Sequence, residues 1–321
     1  MKIFYVILLL VLIFLYILAY YNIFRYTRIN MNPTSKFSSN YRKLPRVKKK
    51  GKVIISLTTV PGRIETSKYS LASLLDQTQR VDEIRFYIPL ESSKGEPYII
   101  PEWMTNLSKN VKQFIIKRCV KDWGPATKII PAVLDSQRED IDSIIYVDDD
   151  IIYNKNMVET LVSYSKRYPK YAICNQGWNV ERWIKNSKIL QFFHHTRKYF
   201  PRSDPFYHNF TDVMQGFSGV LIKPSFFDIS ALVNLKKYPK EVFFVDDVYL
   251  SGLLNNNGIH RITTDIQSGI PFWSEFYNGF LMRAASHSLS SEHNNDLRND
   301  KIASKCFTWY KQVIIKVNNT H

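Results

Sequence analysis

The sequence predicts an α/β protein, an open and largely parallel sheet flanked by helices and tethered by an N-terminal membrane helix. Three observations carry this reading. Residues 3–21 are 19 consecutive residues drawn only from Ala, Val, Ile, Leu, Phe and Tyr. Short β-branched runs then alternate with amphipathic stretches, the pattern of βαβ units. One of those runs, Ile144-Ile145-Tyr146-Val147, leads directly into Asp148-Asp149-Asp150.

At 1.5 Å per residue a helix over residues 3–21 covers roughly 28 Å, near the thickness of a bilayer's hydrocarbon core. A cleaved signal has a shorter apolar core, about 7–15 residues, ending in small residues. Here Tyr20, Tyr21, Asn22 and Phe24 follow instead. Residues 1–24 are therefore assigned as an uncleaved single-pass anchor. Residues 25–51 are assigned as a basic stalk: from Arg25 to Lys52 there are ten Lys or Arg and no acid. That composition buries too little apolar surface to order itself, so the stalk is expected to be mobile.

The formal net charge is +16, from 44 basic and 28 acidic residues. Residues 1–52 hold eleven of the basic residues and none of the acids, so most of the excess sits beside the anchor. A basic run there is drawn to anionic lipid head groups. The remainder is too mildly basic to argue for nucleic acid. Cys119, Cys174 and Cys306 show no metal-ligand spacing and allow at most one intrachain disulfide.

Residues 52–321 are assigned to one large domain. Residues 53–60 form a continuous β-branched run closed by Pro61-Gly62, as expected of a strand buried on both faces. Further strands are expected at 83–89, 113–117, 143–147, 219–222 and 259–264. Helices are expected at 69–77, 127–134, 154–168 and 245–255, the last closed by Asn257-Gly258. Residues 177–211, rich in aromatics, His and Arg, lack periodicity and read as a binding loop.

The acid triplet carries the chemistry. Ligands of open α/β sheets sit at the C-terminal ends of strands, and adjacent carboxylates repel unless a cation compensates them. Oxygen ligands suit Mg²⁺ or Mn²⁺. Strand alternation would let Asp148 and Asp150 converge while Asp149 points elsewhere. A solvated acidic turn is the plainer alternative. A second acid pair, Asp246-Asp247, follows Phe243-Phe244-Val245 at the start of a helix. Simple N-capping would account for it; a base that deprotonates a hydroxyl would too.

Asp148-Asp149-Asp150 after an apolar strand resembles the metal-binding DxD motif of GT-A glycosyltransferases. Asp246-Asp247-Val248-Tyr249 resembles the later (Glu/Asp)-Asp-Val motif of family 2-like and β-1,3-galactosyltransferase-like members. Gly216-Phe217-Ser218-Gly219-Val220-Leu221 resembles their glycine-containing acceptor-side strand. The resemblance spans about residues 52–265. It implies a mixed, Rossmann-like sheet, a nucleotide-sugar donor, a divalent ion (Mn²⁺ or Mg²⁺) on its diphosphate, and inverting transfer. By the same analogy Asp148 and Asp150 hold the metal, and Asp247 or Asp246 is the base. This chain has Asp246 where many relatives carry Glu. Thr59, Arg63, Lys128 and Asp149 are expected on the donor side. For Arg63 a surface turn is the bland alternative, and for Lys128 an exposed side chain at a helix start.

His287 and His293 are candidates for a third metal ligand, whereas the neighbours His194 and His195 point apart. Trp178, Trp183 and Trp273 are candidates for sugar stacking, although large aromatics are more often core. The other enzyme class weighed is Mg²⁺-dependent phosphoryl transfer, which usually carries its acid pair after the first strand. A different class again is a membrane-anchored glycan-binding protein on a transferase scaffold. A glycan, lipid or protein could be the acceptor. The side of the membrane stays open: the charges after the anchor favour the cytosol, while the sequons at Asn106, Asn209 and Asn318 would suit a lumenal domain.

Overall fold

The computed structural model describes residues 2–20, 23–178, 210–238 and 240–264. Helix α1 is Lys2–Tyr20, and its described side chains, from Phe4 to Leu15, are between 43% and 66% exposed. Over the described residues, no helix is long and apolar enough to cross a membrane. The predicted sites at His194, His195, His287, His293, Trp183 and Trp273, and the sequons at Asn209 and Asn318, lie outside the described residues.

The expected mobile stalk is corrected. Residues 25–51 contain most of helix α2, Ile23–Met31, and all of α3, Thr34–Tyr41. Tyr26, Ile29, Phe37, Tyr41 and Val47 are buried in the main core. The Tyr41 hydroxyl accepts a hydrogen bond from Val81 N at 3.2 Å. The charge count hid this apolar stripe, with Tyr26 and Ile29 three apart and Phe37 and Tyr41 four apart, one face of a helix. Many of the cations also find acids: Arg25 and Arg28 meet Asp76, Arg46 meets Asp82, Lys49 meets Asp142 and Lys52 meets Glu83. The folded unit thus includes α2 and α3 and does not begin at residue 52.

Strands β1 (Lys52–Leu57), β2 (Glu83–Pro89), β3 (Phe114–Cys119), β4 (Ile141–Tyr146) and β5 (Ala172–Cys174) follow. Strands β6 (Gly177–Trp178) and β7 (Val213–Met214) form a small antiparallel ladder. Strands β8 (Val220–Ile222) and β9 (Arg261–Thr263) complete the main sheet. Its order is β3-β2-β1-β4-β8-β5-β9. Strands β1 to β4 pair in parallel, as do β5 and β9, while β8 runs antiparallel to both neighbours. The sheet is therefore mixed.

Both faces are covered, as the β-branched runs require. In β1, Val53, Ile55 and Leu57 enter one apolar cluster and Ile54 the other; in β4, Ile145 enters the first and Ile144 and Tyr146 the second. The first face also carries α2, α3, α4 (Lys68–Leu75), α5 (Glu102–Asn110) and α7 (Met157–Arg167). The second carries α6 (Ile130–Asp135), α8 (Ile229–Leu232) and α9 (Asp246–Asn256). Helix α5 was not expected, because only Met104 and Leu107 are buried along it.

The chain builds outward through β1, β2 and β3, then returns to set β4 on the other side of β1. That reversal opens a crevice beyond the C-terminal ends of β1 and β4.

Candidate functional site

Strand β1 ends at Leu57, so Thr58, Thr59 and Val60 leave the sheet rather than extending it. The 3₁₀ turn Pro61–Arg63 follows. Across the crevice β4 ends at Tyr146, and residues 147–154 form an irregular acid turn. The two strand ends are tied side chain to side chain. The Thr59 hydroxyl donates to the Asp149 carboxylate, and Arg63 holds Asp149 at 2.8 Å through Nη2 and Asp150 at 3.0 Å through Nη1. Arg63 is thus an inward-facing residue, not a surface one. Burial works against its charge, but Asp149, Asp150 and Asp148 outweigh it, and its pKa is raised.

Strand alternation is not what places Asp148 and Asp150. Period-2 alternation holds only inside a strand, and the acids lie beyond its end. Asp149 and Asp150 share Arg63, while Asp148 meets Lys128. Among the described residues, no group of three His, Cys, Asp or Glu is arranged to hold a metal ion. The donor chemistry still suits one: Mg²⁺ commonly takes only one or two carboxylates and leaves the rest to water and substrate phosphates. Asp148 and Asp150 are the open members of the triplet, 30% and 39% exposed, against 3% for Asp149. Partial burial and the Asp149 charge push the Asp150 carboxyl up to about 7, against the pull of Arg63. Burial likewise raises the pKa of Asp149.

Lys128 closes the 3₁₀ turn Gly124–Lys128 ahead of α6. The turn is held by Gly124 N donating to Asp122 Oδ1 and Trp123 N donating to Thr127 Oγ1, both at 2.8 Å, and by the Ser56 hydroxyl on the Lys128 carbonyl. Gly124 has φ +61°, and a Cβ there would lie 2.8 Å from the Phe243 ring. The turn is thereby pressed against the segment leading into α9. Lys128 is buried, not exposed at a helix start. Its ammonium meets the Asp148 carboxylate and lies 2.8 Å from Asp246 Oδ2. Burial alone would discharge it, but Asp148, Asp246 and Asp247 together raise its pKa.

Asp246 and Asp247 are the first residues of α9. Asp247 Oδ1 does not turn back to cap that helix; it accepts a 2.9 Å hydrogen bond from Gly216 N. Gly216 opens the 3₁₀ turn Gly216–Ser218 before β8, whereas the resemblance placed it in the acceptor-side strand. A Cβ on Gly216 would lie 3.0 Å from Lys128 Nζ and 3.2 Å from both Asp247 Oδ1 and Tyr146 Cε2. The glycine therefore lets three site groups close on one point. Burial, then the Asp246 charge, lifts the Asp247 pKa well above the usual carboxylate range. Asp246 Oδ2 is near Lys128 yet outside hydrogen-bonding geometry.

Two tyrosines escaped the sequence reading, though both flank the triplet in an otherwise aliphatic run. The buried Tyr146 hydroxyl makes no hydrogen bond within the described structure, and its ring lies beneath the Lys128 ammonium, 5.7 Å from it. The Tyr153 hydroxyl accepts from Asp148 N at 2.6 Å and donates to Asp148 O at 3.1 Å. Trp178 lies on the β6 edge.

Five carboxylates, two compensating cations and a glycine turn thus meet at the sheet's C-terminal rim. No protein-family model matches the chain, and no curated protein matches it.

Proposed function

We propose that the chain is a nucleotide-sugar-dependent glycosyltransferase of the GT-A kind, anchored through α1. The observation that carries this reading is Lys128 joining Asp148 to Asp246, which makes two separated acid motifs parts of one site at a topological switch point. Donor diphosphate chemistry fits an acid-rich rim with Asp148 and Asp150 on its open side. A bound Mn²⁺ or Mg²⁺, held there by Asp148 and Asp150, would supply charge neutralisation for the diphosphate leaving group.

Asp247 is the preferred base. Its carboxyl is fixed by Gly216 N, and its raised pKa makes it a stronger base than an ordinary carboxylate. In the proposed step the acceptor hydroxyl gives its proton to Asp247 as its oxygen bonds to the anomeric carbon. The bond from that carbon to the phosphate oxygen breaks, the nucleoside diphosphate departs, and the configuration inverts. Thr59, Arg63, Lys128 and Asp149 hold the acid turn and the donor side in register. The exposed apolar side chains of α1 support a single-pass membrane location.

The test is hydrolysis of a panel of nucleotide sugars with Mn²⁺ by the wild type, Asp148→Ala and Asp247→Ala. Turnover by the wild type and its loss in both variants is expected. Equal donor binding and turnover in all three proteins would overturn the assignment. Phosphate release from a simple phosphomonoester, with none from nucleotide sugars, would favour a phosphoryl-transfer enzyme instead.

A further inference from the structure

Arg25 stands on α2, just after the apolar helix, yet it reaches the acid turn. Its Nη1 donates to the Tyr153 carbonyl at 2.6 Å, and its Nε meets Asp76 Oδ2 at 2.9 Å. Its side chain is 12% exposed. Tyr153 in turn closes the acid turn on itself through the two hydrogen bonds to the Asp148 backbone. Helix α4 braces the same loop, with Ser70 Oγ donating to Asp148 O at 3.1 Å and Tyr153 N donating to Ser73 Oγ at 2.9 Å. Arg28 touches the same Asp76 at 2.6 Å but stays on the exposed side of α2. Of the two arginines on this helix, Arg25 carries the link to Tyr153.

We propose that Arg25 is a positioning residue that couples the seating of α2, which follows α1, to the geometry of the acid turn at Asp148. A continuous path supports it: Arg25 guanidinium, Tyr153 carbonyl, Tyr153 phenol, Asp148 backbone. The outer steps are hydrogen bonds, the first of them charge-assisted, and the covalent frame of Tyr153 joins them. Undocking α2 removes the restraint on Tyr153 and loosens the turn that presents Asp148, Asp149 and Asp150. The functional meaning of the coupling rests on the transferase reading; the mechanical link does not.

The experiment is hydrogen–deuterium exchange of the full chain in detergent micelles, comparing wild type, Arg25→Ala, Arg28→Ala and Tyr153→Phe. Hydrogen bonds to a charged group contribute enough to change local opening by about tenfold. Arg25→Ala and Tyr153→Phe are therefore expected to speed exchange of residues 147–154 by about that factor, leaving β2 unchanged. Arg28→Ala, which removes the same charge from Asp76, should leave residues 147–154 as in the wild type. Equal exchange in Arg25→Ala and Arg28→Ala overturns the proposal. If Arg25→Ala does not accumulate folded, Arg25→Lys keeps a cation for Asp76 but lacks the forked guanidinium, and wild-type exchange in that variant overturns the proposal equally. No nucleotide sugar enters this measurement, so a chain without transferase activity would leave its outcome intact.

Discussion

Lys128 Nζ lies 2.8 Å from Asp246 Oδ2 while also meeting Asp148, so one buried ammonium serves two acid motifs about a hundred residues apart in the sequence. Removing a partner from a buried ion pair leaves an uncompensated charge, which costs about 3–5 kcal/mol. Lys128→Met is expected to lower the stability of the folded domain by that order, read as a shift of the urea unfolding midpoint. Arg at this position should not restore it, because the larger head group meets the space that Gly216 leaves free.

Gly216→Ala probes that space directly. The new Cβ would sit 3.0 Å from Lys128 Nζ and 3.2 Å from Asp247 Oδ1. Overpacking of this kind costs about 1–3 kcal/mol. A fall in nucleotide-sugar hydrolysis should accompany it. Full activity with an unchanged melting temperature would show that the two groups move apart without consequence.

Asp247→Asn keeps the shape of the side chain but removes the base. Loss of general-base assistance lowers turnover by about 10²- to 10⁴-fold, and folding should be retained, since the amide oxygen can still accept from Gly216 N. Steady-state kinetics beside a thermal melt separate the two effects. Asp246→Asn should instead weaken the Lys128 contact and cost stability.

Acid stability reports on a second charged cluster, around the fully buried Arg85 of β2. Glu139 meets Arg85, Lys52 and Lys117. Burial opposes its charge, but hydrogen bonds from Arg85 and Lys52 prevail and hold its pKa down at about 2. A depressed carboxylate stabilises the fold above its unfolded-state pKa and loses that contribution as pH falls through the folded value. Glu139→Gln should therefore lower the urea midpoint at pH 6, while the two proteins converge as pH approaches 2. A constant gap between them across that range would exclude the linkage.

Truncation distinguishes a docked segment from a tether. A chain starting at residue 52 lacks Tyr26, Ile29, Phe37, Tyr41 and Val47 from the core, and fully burying an apolar side chain is worth about 1.5–3 kcal/mol. Such a chain is expected to aggregate on size-exclusion chromatography, whereas one starting at residue 23 runs as a folded species.

What could be read from the residues follows from how local the signal was. The β-branched runs at β1, β2 and β4 marked themselves, because strands buried on both faces need continuous apolar sequence. The acid triplet was legible for the same reason, as a break at the end of such a run. The direction of β8 was not: Val220-Leu221-Ile222 reads as a strand either way, and only its neighbours decide. Helices α2 and α3 hid behind their lysines and arginines, since charge counting averages over a helix while burial depends on one face of it. Lys128 was legible as a candidate site residue but its burial was not, because its partners, Asp148 and Asp246, come from other parts of the chain.

The antiparallel course of β8 changes which of its two ends matters. Parallel strands deliver to the rim the residues that follow them, as β1 delivers Thr59 and β4 delivers Asp148. Strand β8 runs the other way, so it delivers the residues that precede it, Gly216 among them, and sends Pro224 and Phe226 toward the far edge. Two deletions of equal length on either side of β8 are thus unequal in kind: the earlier one removes a wall of the crevice, and the later one only shortens its floor support.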